Sequence, residues 1–114
     1  MDEVYKKNGT PQETIDWIEN IPKKSVRNMA RFEEIVKFKN PPDYKADFTS
    51  NKLKWGPVFT GVGSGFRFVG SDCTSTSSAP YLGSLTSFAS EKLSDEAANK
   101  FLPIFRDMIH PEEE

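Results

Sequence analysis

Read for the spacing of apolar and polar positions, the chain divides into a helical first third, a β-prone middle and a helical end. Val4-Tyr5, ahead of the Asn8-Gly9 turn signal, predicts the end of a first strand. The stretch TPQETIDWIENI (residues 10–21) predicts a helix. Thr10 is placed to cap it, Pro11 suits its first position, and Glu13 completes a capping box. Ile15, Trp17, Ile18 and Ile21 supply its apolar face, and Pro22 ends it. A second helix follows over residues 23–39, where Val26, Met29, Phe32 and Val36 recur at three- and four-residue steps, flanked by Ile35 and Lys39. Its opposite face carries Arg27, Arg31, Glu34 and Lys37, and Pro41-Pro42 stops it. So short a connection makes the two helices an antiparallel hairpin.

Beyond Pro42 the period changes. A loop leads into a short strand around Lys52–Trp55, and Val58-Phe59-Thr60 and Phe66–Val69 are further β-prone runs, joined by Gly61-Val62-Gly63-Ser64-Gly65. SDCTSTSSAP (71–80) reads as an exposed loop. YLGSLTSFAS (81–90) offers one more strand, with Leu82, Leu85 and Phe88 as its larger apolar residues. A last helix over 94–109 would be capped by Ser94, with Asp95 and Glu96 in its first turn and Pro103 kinking or splitting it. Residues 110–114 read as a frayed acidic tail. The expected fold is α+β: three to five antiparallel strands packed against an N-terminal helical hairpin, with a C-terminal helix.

Composition narrows the function classes. The 114 residues make one domain with a single core, and nine phenylalanines are its main material. No apolar run reaches the ~18 residues of a membrane span, and no secretory signal is evident, so a cytoplasmic protein without a membrane partner is expected. One cysteine and one histidine leave no disulfide, no multi-cysteine zinc site and no Ser-His-Asp triad as a natural reading, and no cofactor is expected. The net charge of −2 is segregated: residues 21–72 hold ten Lys/Arg against five acids, between two acidic ends. That pattern fits a nucleic-acid-facing surface or a solvated helix face.

The run GPVFTGVGSGFRFVGS (56–71) invites comparison with a phosphate loop. A P-loop ends in Gly-Lys-Ser/Thr at a helix start, whereas Gly61, Gly63 and Gly65 alternate and β-formers follow. A hairpin with a bulged turn is expected instead. Phe66 and Phe68 should then face the helices, leaving Arg67 on the open face, joined by Lys52 or Lys54 or paired with an acid such as Asp72. Cys73 lacks an activating neighbour, Asp43 and Asp47 lack further metal ligands, and Trp17 and Trp55 suit core or interface.

In their order, EVYKKNGTPQETIDWIENIPKKSVRNMARFEEIV, NKLKWGPVFTGVGSGFRFVG and LTSFASEKLSDEAANKFLPIF resemble the sections of the RelE/ParE toxin superfamily, in its HigB-like, phage-associated branch. The resemblance implies the toxin of a toxin–antitoxin pair, an mRNA endoribonuclease that needs no metal, acts free or on ribosomes, and is neutralised by a cognate antitoxin. Cleavage of this kind takes a proton from the 2′-OH, stabilises the crowded phosphate and protonates the leaving 5′-oxygen. Arg67 matches the strand arginine that contacts the scissile phosphate. Lys54 and Lys92 fall at the positions of assisting lysines, and Lys52, with the helix cations Arg27 and Arg31, would bind substrate. Thr86 stands where such enzymes often carry histidine, and His110 is the nearest acid–base candidate at the chain's end. These departures keep an alternative open within the superfamily: a binding module that grips a host protein and cuts nothing.

Overall fold

The computed structural model describes residues 1–44, 53–74 and 87–111. Five helices and a two-stranded antiparallel sheet follow one another as α1 (Asp2–Asn8), α2 (Gln12–Glu19), α3 (Lys24–Lys39), β1 (Lys54–Thr60), β2 (Arg67–Thr74), α4 (Glu91–Lys100) and α5 (Leu102–Ile109). The α+β class holds, and two strands are present among the described residues where three to five were expected.

The opening segment is a helix, not a strand. Asp2 and Glu3 stand in its first turn and Lys6 and Lys7 in its last, the order that complements a helix dipole. Asn8-Gly9 is therefore a helix end rather than a chain reversal between strands. Gly9 adopts φ 65°, the left-handed C-cap that glycine accepts without strain. Val4 and Tyr5 are buried, from a helix rather than a strand.

The next two helices lie where the periodicity placed them, with different inward faces. Thr10 does not cap α2; its hydroxyl bonds the Glu34 carboxylate of α3. Of the four apolar positions expected to bury α2, only Ile18 is fully covered, and Trp17 is 67% exposed. In α3 the buried residues are Asn28, Phe32, Ile35, Val36 and Phe38, while Val26 and Met29 face solvent. Asn28 takes the inward position and bonds its amide to the Lys24 carbonyl, so the stripe is rotated relative to the apolar pattern.

Of the residues expected as two short strands, Lys54-Trp55 and Val58-Phe59-Thr60 form one, β1, which runs through Pro57, while Lys52 lies outside the described residues. Trp55 directs both its N–H and its C=O at Phe88, at 3.1 and 2.8 Å. Pro57, two residues on, points its nitrogen to that same side, away from β2, so its missing donor removes no bond from the β1–β2 ladder. The expected hairpin is present, pairing Lys54 with Thr74 through to Thr60 with Arg67, with a register shift between Val58 and Phe59. β2 also absorbs Ser71–Thr74, which the sequence assigned to a loop. The expected strand over 81–90 lies outside the described residues up to position 86. Phe88 contributes one bridge to Trp55, and Asn40 holds it from the other side, donating to the Ser87 carbonyl and accepting from Ala89 N–H, both at 2.8 Å.

The last helix starts earlier than expected. Ser90, not Ser94, caps α4 by accepting from the Leu93 N–H, and Ser94 is fully buried inside it. The expected split occurs at Phe101, with Pro103 in the first turn of α5, where it displaces no helix bond.

Phenylalanines join the layers. The Phe105 ring of α5 sits 5.1 Å from Phe32 of α3 and 5.0 Å from Phe59 of β1, and Phe59 stacks on Phe66 at 4.9 Å. Trp55, Pro57 and Phe59 thus define the core face of the hairpin. Ser71, the partner of Pro57, shares that face and bonds Ser94 and Asp95 at 2.7 and 2.6 Å, which seats α4 on it. The opposite face carries Lys54, Gly56, Val58 and Thr60.

Candidate functional site

That outer face changes character along its length. It is closed at Lys54 and Gly56 and open at Val58 and Thr60, toward the hairpin tip. The tip is built by one obligatory glycine. Gly61 has φ 83°, and a Cβ there would stand 2.1 Å from the Gly65 carbonyl oxygen, so the loop folds back on a position only glycine can fill. A 3-10 turn over Gly63–Gly65 completes it, and the amides of Gly65 and Phe66 are spent on the carbonyls of Val62 and Gly63. Those bonds leave these two amides no role as an anion cradle.

Arg67 opens β2 opposite Thr60, solvent-exposed, and no hydrogen bond or ion pair engages it among the described residues. Phe66 before it is buried and Phe68 after it is half-buried, as the alternation predicted. Around it the exposed large apolar side chains are Val58 at 43%, Val69 at 54% and Val62 at 65%. Val69 is the residue left over by the register shift, beside Gly70 at φ 146°. His110, at the end of α5, sits edge-on to Phe66 with ring centroids 6.2 Å apart, which brings an imidazole to the same end of the molecule.

The other candidate residues lie elsewhere. Lys54 is fully buried at the far end of β1, six positions from Thr60, about 20 Å from Arg67 at ~3.3 Å per residue. Lys92 is exposed on α4, across the sheet from Arg67. Lys52 lies outside the described residues. Arg31 is engaged by Glu19, which accepts from its Nε at 2.9 Å and from its Nη2, while its Nη1 donates to Asn28 at 3.0 Å. Arg27 donates to the Ile21 carbonyl at 3.1 Å, and its Nε is buried without a partner among the described residues. Three of these cations, Arg67, Lys54 and Lys92, therefore do not converge on one phosphate.

Several charges elsewhere are internally committed. Tyr5 donates to Glu19 at 2.7 Å, so one carboxylate of α2 ties α1 to α3. Hydrogen bonding from Arg31 holds Glu19 below the usual carboxylate range, and burial, reinforced by Glu19, pushes the Tyr5 phenol up. Lys39 pairs with Glu96, Lys100 with Glu3 and Lys24 with Asp107. A groove of about 690 Å³ at the end of α3 is lined by Lys7, Lys37, Phe38, Tyr44 and Leu93 among others. Its lysines occupy the last turns of α1 and α3, where cations offset the helix dipoles, which accounts for them without a ligand. Among the described residues no three His, Cys, Asp or Glu converge to hold a metal, and no helix is long and apolar enough to cross a membrane.

The sequence singled out Arg67 but missed its valine surroundings, because an exposed valine in a strand has the same local signature as a buried one. It also missed the Tyr5–Glu19–Arg31 link, whose members are far apart in the chain. No family model, curated protein or solved structure matches this chain.

Proposed function

We propose that this protein is a non-catalytic binding module on a RelE/ParE-like scaffold, acting in the cytoplasm, and that it grips a protein through the outer face of its hairpin tip. One observation carries the reading: an unengaged guanidinium, Arg67, among exposed valines 58, 62 and 69. A surface of that kind suits a partner offering aliphatic side chains around a carboxylate, since Arg forms directional pairs while the valines exclude water. The order of two helices, β-hairpin and C-terminal helices supports the scaffold, although α1 stands where the resemblance implies a strand. The further strands of a RelE-like sheet are part of this proposal. Affinity capture from the cells that carry the protein tests it. One stoichiometric protein should be retained by the wild type and lost with Arg67→Glu; capture of RNA, or capture indifferent to Arg67, counts against it.

The alternative is the toxin reading, a metal-independent mRNA endoribonuclease with a cognate antitoxin and mRNA or the ribosome as partners. His110 beside Phe66 is what favours it, an imidazole at the same end of the hairpin as Arg67, which this reading needs to exchange the protons of the 2′-OH and the 5′-oxygen while the guanidinium holds the phosphate. Purified protein incubated with mRNA, with and without ribosomes, separates the two. Cleavage abolished by both Arg67→Ala and His110→Ala establishes the toxin reading; intact RNA in both conditions removes it.

A further inference from the structure

We draw no further inference here: the strongest candidate, the cation cluster of Lys23, Lys24 and Arg27 at the N-terminus of α3, is a helix N-terminus whose orphaned donor, Arg27 Nε, belongs to a partly exposed side chain already anchored on Ile21, and nothing else among the described residues points to a ligand there.

Discussion

Two glycines of the hairpin turn, four residues apart, show how backbone geometry separates residues that look alike in a sequence. Gly61 combines φ 83° with a backbone contact that a Cβ would overlap, whereas a Cβ on Gly65 meets nothing within 4 Å. Gly61→Ala should therefore destabilise the fold by about 2–3 kcal/mol. Gly65→Ala should stay within about 0.5 kcal/mol. Chemical denaturation of the two variants checks this, and equal effects would mean the turn is built differently. Glu19 is the comparable side chain, since it accepts from both Tyr5 and Arg31. Glu19→Gln should cost about 1–3 kcal/mol, toward the lower figure because the carboxylate side chain is 34% exposed. In the double variant Glu19→Gln/Tyr5→Phe the losses should fall short of additive, since the two share a hydrogen bond. Full additivity would show that the bond contributes nothing.

At the scale of elements, the sequence resolved those whose signal is local and repeated. The Pro-bounded helices, the hairpin around the glycine run and the break at Pro103 could all be read from spacing and turn chemistry. The first helix could not, because two adjacent apolar residues fit a strand or a short helix equally well. What decided it was tertiary: Val4 buries into a core contributed by distant residues, and Tyr5 is covered while it bonds Glu19. The exposure of Trp17 and Met29 was illegible for the same reason, since an apolar stripe fixes a period but not which edge of it meets the neighbours. Asn40 is a further case, a helix-end residue whose side-chain amide serves as a one-residue strand beside Phe88. Asn40→Ala should lose about 1–3 kcal/mol and speed amide exchange at Ala89, with Asn40→Asp intermediate because the acceptor survives. Unchanged exchange at Ala89 would remove Asn40 from that role.

For the whole molecule, charge and titration set the range in which the proposed binding face is presented. Glu19 has a folded pKa below its unfolded one, so its contribution is present above the ordinary carboxylate range, about 4.3, and is lost as pH falls through the folded value. Tyr5 and Tyr44 are shifted up by burial, so their contribution is complete below about pH 10 and declines above it. Thermal denaturation should thus show a plateau between these limits with losses on both sides. Removing the Glu19 carboxylate as Glu19→Gln should flatten the acid limb, and an acid limb unchanged in that variant would assign it to other carboxylates.

Within that plateau the outer face of the hairpin is the proposed contact surface, and it was only partly visible in the sequence. Arg67 stood out as a lone cation in a strand, but its separation from Lys54 required the register, and its separation from Lys92 required the seat of α4. The most direct measurement of the binding claim is site-specific photo-crosslinking in the cells that carry the protein. The crosslinker is placed at Val69 beside Arg67 and, in a second variant, at Lys37 on α3. A single protein adduct is expected from position 69, lost when Arg67→Glu is added and kept with Arg67→Lys, and no such adduct from position 37. An adduct from position 37 alone, or RNA joined at position 69, would contradict the binding claim.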